Sequence, residues 1–287
     1  MKAFRLAVIL AAAVMLLTRA SAAYAGDDVV GTLPEKLRMS EGSSRETAVD
    51  STTAQFSLGS AASDAARIAG DADVAVLFGG DMFNNIMGGN VSWSAVKDAF
   101  ASDRELGAAI ITSAELFNLL EFGFSHIVVG EDEKIDRTAS SFYGFPQVSG
   151  FRVTFDASAP ALSRITEIVL DDGRSLDPAD TLTALRIAAP TGMFEGGYGY
   201  PILPYAPLEI TQAQALAALI ASGSPLYGEA ADKRIQVIGD AERFAIGSSQ
   251  VRSILLVSAL ALSAIVLAGA KRKRASRTNL DEFIDSH

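Results

Sequence analysis

Three hydrophobic patterns recur along the chain and predict its elements. From 57 to 70, Leu58, Ala61, Ala62, Ala65, Ala66 and Ala69 fall at helical spacing and Gly70 follows, so a helix closed by glycine is predicted. Residues 72–78 (ADVAVLF) are a continuous apolar run ahead of Gly79-Gly80. Such a run predicts a strand buried on both faces that enters a glycine turn. In 151–155 the apolar Phe151, Val153 and Phe155 alternate with Arg152 and Thr154, the period of a half-buried strand. Further strands are expected at 108–112, 127–129, 165–170 and 182–188, with a hairpin-type turn at Asp171-Asp172-Gly173. Short helices are expected over 91–100, over 113–122 with Ser113 as its cap, and over 212–221. Helices and strands intersperse without a strict strand–helix–strand rhythm, which points to an α+β domain over 45–238. The preceding 26–44 reads as a polar leader with at most a first strand in it, and 239–252 as a stalk.

The two ends depart from this. A mean hydropathy of +0.26 is high for a globular chain and comes from two apolar segments. Residues 1–25 combine Lys2 and Arg5, an apolar run over 6–17 and Ala23-Tyr24-Ala25, the pattern of a secretory signal peptide. Residues 253–270 carry no charge and would reach ~27 Å as a helix, enough to cross a hydrocarbon core. Lys271-Arg272-Lys273-Arg274 follow, so the expected topology is a single-pass membrane protein. Its domain lies outside, periplasmic or extracellular, and the basic tail 271–287 is cytoplasmic.

Charge and chemistry narrow the functions. Residues 26–252 hold 16 Lys and Arg against 31 Asp and Glu, a balance that repels nucleic-acid backbones, so no polymer nucleic acid is expected as partner. There is no cysteine and there are two histidines, His126 and His287. Disulfides, thiolate sites and multi-histidine metal centres are thereby excluded within this sequence, and neither a metal site nor a cofactor is expected.

Several short motifs follow one another in a specific order. They are Ser57-Leu58-Gly59 with Ser63-Asp64-Ala65, Ala72-Asp73-Val74-Ala75 before Gly79-Gly80, and Gly89-Asn90-Val91-Ser92. Thr112-Ser113-Ala114-Glu115-Leu116, Gln147-Val148-Ser149-Gly150-Phe151, Leu176-Asp177-Pro178, Gly196-Gly197-Tyr198-Gly199-Tyr200 and Arg234-Ile235 continue the series. Their order resembles the C-terminal domain of the 5'-nucleotidase family, and the resemblance implies an α+β domain that supplies a nucleotide pocket, with catalysis by two metals residing in a separate metallophosphoesterase domain. It places ligand-binding positions at Gly79, Gly80, Phe83, Phe100, Gly197, Tyr198 and Tyr200, and no catalytic residue. Phe83 stands where the family carries a phosphate-clamping Arg, and Asp81 brings a negative charge beside it. The stretch that holds one base-stacking aromatic falls on Ala101-Ser102-Asp103-Arg104, with Phe100 adjacent. The second stacking aromatic falls near Gly192, and the family's Asp in the Gly-Gly-Asp-Gly-Tyr stretch becomes Tyr198.

Other features are weaker. His126 lacks triad partners at recognisable spacing. Glu131-Asp132-Glu133 lacks the spacing of a calcium loop and reads as a solvated turn. The aromatics Phe142, Tyr143, Phe145, Phe194, Tyr198, Tyr200 and Tyr205 suit either a core or a pocket. Two functions stay open. One is a membrane-tethered binding or interaction module with a degenerate pocket. The other is the accessory half of a split 5'-nucleotidase, partnered by a metallophosphoesterase chain, with a small nucleotide-like ligand.

Overall fold

The computed structural model describes residues 27–41, 49–50, 52–130, 135–136, 138–224 and 234–238. The expected signal peptide, stalk, membrane span and basic tail, and the acidic stretch 131–133, lie outside the described residues. In chain order the strands are β1 (Val29–Leu33), β2 (Ser40–Glu41), β3 (Val49–Asp50), β4 (Val74–Phe78), β5 (Gly89–Ser92), β6 (Glu105–Thr112), β7 (Pro146–Ser149), β8 (Phe151–Asp156), β9 (Ile165–Leu170), β10 (Ala184–Pro190), β11 (Ala206–Thr211) and β12 (Ile235–Ile238). The helices are α1 (Ser57–Ala69), α2 (Trp93–Lys97), α3 (Ser113–Phe124), α4 (Thr191–Phe194) and α5 (Gln212–Ala221).

The apolar run of 72–78 becomes β4, and all five of its residues are buried. It sits inside a five-stranded sheet of order β11-β6-β10-β4-β7. Ala75 and Leu77 face a core shared with α1, α5 and β1. Val74, Val76 and Phe78 face a second core with α3, β8 and β9. A strand that must satisfy apolar contacts on both sides has no place but the sheet interior. A three-stranded sheet, β12-β8-β9, backs the second core, with β8 and β12 parallel. This is the mixed helix and strand fold that the sequence predicts.

Several local expectations shift. Val30, Leu33 and Leu37 are buried, and β1 pairs antiparallel with β5. Residues 29–37 are therefore part of the core rather than a leader, because the apolar positions of β1 find a face between β5 and α5. Residues 127–129 form no strand. The Val128 N–H donates to Ser140 Oγ at 2.8 Å and its carbonyl accepts from Asp136 N at 2.9 Å, so a local loop takes the groups a ladder would need. The strand expected at 182–188 begins at Ala184, since Asp180 holds the N–H groups of Leu182 and Thr183 at 2.7 and 3.0 Å. The helix expected over 91–100 shrinks to α2, where Ser92 Oγ accepts from Ala95 N at 3.2 Å. The cap of α3 is Thr112 rather than Ser113, with Glu115 returning the bond in a capping box.

The sheet edge at β7 is closed by side chains. Gln55 Nε2 donates to the Val148 carbonyl at 2.8 Å and Gln55 Oε1 accepts from Val148 N at 3.1 Å, as a neighbouring strand would. Arg234 Nη1 donates to the same carbonyl at 3.0 Å, and Arg234 Nη2 reaches Asp64 Oδ2 at 2.9 Å. Asp64 also accepts from Ser149 Oγ at 2.5 Å. At the opposite edge, β11 loses register between Pro207 and Thr211, and Glu209 there has a φ of 55°.

Gly150 and Gly173 separate backbone strain from crowding. Both have φ near +90°, but a Cβ on Gly150 would lie 2.2 Å from the Asp73 carbonyl oxygen, whereas one on Gly173 meets nothing within 4 Å. Gly173→Ala should cost about 1 kcal/mol in urea unfolding. Gly150→Ala should cost about 3 kcal/mol or abolish folding. Equal losses would show that the Gly150 contact relaxes.

Candidate functional site

β4 and β10 run parallel and end on one side of the sheet, where β6 and β7, antiparallel to them, begin. Four chain segments therefore converge beyond Phe78. They are the 3₁₀ turn Gly79–Asp81, the stretch before β6 that carries Arg104, the loop before β7 that carries Tyr143, and α4 with the glycine-rich turn after it. Crevices at the carboxyl ends of strands are common ligand sites in sheets of this kind.

The turn is anchored first. Gly79 N donates to the Phe145 carbonyl at 2.8 Å and Gly80 N to the Tyr143 carbonyl at 2.7 Å. A Cβ on Gly80 would fall 2.4 Å from the Tyr143 ring, so glycine there permits the approach. The turn carries Asp81 inward until its side chain is only 1% exposed. A carboxylate so placed needs donors. The single Arg104 Nε–H is shared between the two oxygens, at 2.9 and 3.0 Å, and Gln212 Nε2 donates to Oδ2 at 3.1 Å. Burial still raises the Asp81 pKa above the usual carboxylate range, outweighing the lowering by Arg104 and Gln212. The Arg104 pKa is raised overall: partial burial lowers it, but the bonds to Asp81 and Tyr198 prevail.

Arg104 is held on three sides. Nη2 donates to the Tyr198 hydroxyl at 3.2 Å, and the guanidinium carbon lies 5.5 Å and 5.7 Å from the Phe78 and Tyr198 ring centroids. Phe78 and Tyr198 themselves meet edge to face at 4.8 Å. Tyr198 occupies left-handed backbone (φ 54°), a conformation that costs a non-glycine residue ~1–2 kcal/mol. Beside it, Phe142 stacks on His126 at 3.7 Å with the planes 7° apart, and Phe122 packs edge-on to both. His126 thus joins an aromatic cluster, with Nδ1 near Ser125 Oγ and the Phe122 carbonyl.

Of the residues singled out from the sequence, Gly79, Gly80 and Tyr198 meet in this crevice. Tyr200 is buried, its hydroxyl donates to the Gly144 carbonyl at 2.7 Å, and burial pushes its pKa up. It packs rather than presenting a face. Gly197 serves close packing, since a Cβ there would lie 2.4 Å from the Gly192 carbonyl oxygen. Phe100 is 6% exposed in the first core, so it offers no ring face to a base. Phe83 is 64% exposed and bound through its N–H to the Ala99 carbonyl. The expectation that Asp81 confronts a ligand is corrected: its oxygens are spent on Arg104 and Gln212. Sequence reasoning does not anticipate Arg104 and Gln212 as site residues. The available signal is Asp81 itself, an acid placed just after a fully apolar strand.

The comparisons with known proteins agree with the fold. The family described as "5'-nucleotidase, C-terminal domain" matches residues 29–205. The chain belongs to that family. Among solved structures, the 5'-nucleotidase precursor of Thermus thermophilus is 18% identical with a TM-score of 0.58, covering 74% of this chain and 40% of that one. A putative 5'-nucleotidase from Staphylococcus aureus is 18% identical with a TM-score of 0.57, covering 74% and 41%. The NAD nucleotidase of Haemophilus influenzae is 12% identical with a TM-score of 0.52, covering 76% and 37%. The C-terminal-domain fold thus spans about two fifths of the nucleotidases it resembles. No curated protein matches the sequence.

The Asp81–Arg104 pair should respond unequally to its two halves. Arg104→Ala strands a buried carboxylate and should cost about 3 kcal/mol at neutral pH. Asp81→Asn leaves a guanidinium that water already reaches and should cost about 1 kcal/mol or less. A raised folded-state pKa means stability present at low pH and lost as pH rises through it. The Arg104→Ala deficit should accordingly shrink on acidification, as Asp81 takes a proton. Chemical denaturation of both variants at neutral and acidic pH checks this, and a deficit that grows in acid would refute it.

Proposed function

We propose that this 5'-nucleotidase C-terminal domain is a binding or interaction module, anchored by 253–270 with its domain outside the cytoplasm, and not catalytic by itself. The observation that carries the reading is the seating of Arg104. The chain's own guanidinium lies across the turn after β4, tied to Asp81 and Tyr198. It stands beside Gly192, the position to which the family resemblance assigns a base-stacking aromatic. Phe83, at the position of the family's phosphate-clamping Arg, is exposed and uncharged. A pocket in this state has lost the phosphate clamp and at least one base-stacking face. Loss of one charge-assisted contact to phosphate alone would weaken binding by about 10- to 100-fold. Residues 26–252 contain one histidine, His126, and it is engaged in the aromatic cluster. This supports the absence of the two-metal route from these residues.

A second reading has one observation in its favour. The matched nucleotidases are more than twice as long as the aligned domain. The chain could serve as the accessory half of a split enzyme of nucleotide breakdown, completed by a metallophosphoesterase chain.

Calorimetric titration of the full chain with adenosine monophosphate separates these. The expected result is a Kd weaker than about 1 mM, with no phosphate release in the presence of any divalent metal. Micromolar binding would favour the second reading, and metal-dependent hydrolysis surviving repurification would overturn the non-catalytic one. For the anchoring, a reporter fused after His287 should be active only in the cytoplasm and one fused near Asp240 only outside. A C-terminus accessible on whole cells would sink the topology.

A further inference from the structure

We infer that Arg104 anchors a carboxylate-binding site, selective for a singly charged carboxylate borne on a flat apolar body. The inference rests on the binding-module reading above and names the ligand class of that crevice.

The guanidinium is preorganised but not used up. Nε is committed to Asp81 and Nη2 to Tyr198, whereas among the described residues nothing accepts from Nη1. Arg104 is 32% exposed, so a ligand can reach it. Gly192 is its neighbour on the Nη1 side, where a Cβ would stand 3.5 Å from that nitrogen. A guanidinium that is fixed in position loses little entropy when it takes an oxyanion.

Charge selects the anion. Asp81 and Arg104 neutralise one another, and Asp103 and Glu105 flank Arg104 in sequence. Asp103 is occupied at the start of α5, accepting from Ala213 N at 2.9 Å and Thr211 Oγ1 at 3.0 Å, but its charge remains. A monoanion is tolerated in such surroundings, and a phosphate dianion is penalised more. The neighbours select the body. Tyr198 is 41% exposed, and Tyr143, whose ring lies against Gly80, is 62% exposed. Tyr198, its ring centroid 5.7 Å from the guanidinium carbon, offers surface to a flat apolar group while the carboxylate meets Nη1.

The chemistry has two natural sources, a small aromatic acid or the terminal carboxylate of a peptide ending in an aromatic residue. The test titrates the full chain with benzoate, acetate, inorganic phosphate, adenosine monophosphate and N-acetyl-Gly-Phe as acid and as amide, followed by side-chain NMR of ¹⁵N-arginine. Benzoate or the peptide acid is expected to shift the Arg104 resonances at millimolar concentration. Acetate, phosphate and the peptide amide should bind at least tenfold more weakly. Tighter binding of benzoate identifies the small acid as the source, and tighter binding of the peptide acid identifies a polypeptide terminus.

Gly192→Ala is the decisive variant. Its methyl would stand 3.5 Å from Nη1, an ordinary contact that the fold accommodates. It should therefore leave the melting temperature unchanged and weaken carboxylate binding tenfold or more. Arg104→Lys, which keeps the charge and loses the fork, should weaken carboxylate binding to the same degree, with a lower melting temperature because Asp81 loses its Nε donor. Carboxylate binding untouched by both variants, or no response to either acid in folded protein up to tens of millimolar, overturns the inference. In the second case silent nucleotide titrations leave the degenerate-pocket reading standing. Nucleotide binding at the benzoate level or tighter would overturn both.

Discussion

The two-sided burial of β4 governs the placing of the crevice and of the charges in it. Because Val74 to Phe78 need apolar neighbours above and below, the strand lies inside the sheet, between β10 and β7, and the turn after it does not emerge at the rim. Asp81 is thereby carried into an interior position that a lone carboxylate cannot hold. Arg104 answers it from the start of β6, two strands away, and Gln212 from the start of α5. Tyr198 then closes over the guanidinium. The composition of the crevice is thus a chain of consequences that starts with five apolar residues.

The motifs that carry the family resemblance and the residues that shape the crevice are largely different sets. Asp64, Gln147, Ser149 and Arg234 belong to the former, and they lie in the network that pins α1 and β12 to the β7 edge. Such groups are held by architecture: each satisfies a backbone or side-chain partner that would otherwise be buried unpaired.

Legibility in the sequence follows the range of the interactions. The helix at α1, the buried β4 and the alternating β8 are plain, because each announces itself within one window of residues. The strand of 29–33 is easily taken for part of a leader, since its partner β5 is about 60 residues away and its own apolar positions are few. The false strand at 127–129 arises because only Ile127 of its three apolar residues is buried, Val128 being exposed, while a loop takes the backbone bonds of Val128. In the crevice, Gly79, Gly80 and Tyr198 are found through motif resemblance. Arg104 and Gln212 are not, because nothing local marks a cation 23 residues, or an amide 131 residues, from the acid it serves. The left-handed backbone of Tyr198 is equally invisible, although the glycines beside it are a hint.

The closure of β7 bears on how copies of this chain behave when crowded. Gln55 and Arg234 occupy the hydrogen-bonding groups of Val148 that a foreign strand would seek, and on the far side Pro207 and the bulge at Glu209 break the regular spacing of β11. Neither margin of the five-stranded sheet offers an uninterrupted template. Molecules concentrated on a surface can therefore collide repeatedly without zipping into fibrils through that sheet, and association is left to faces whose side chains can discriminate between partners.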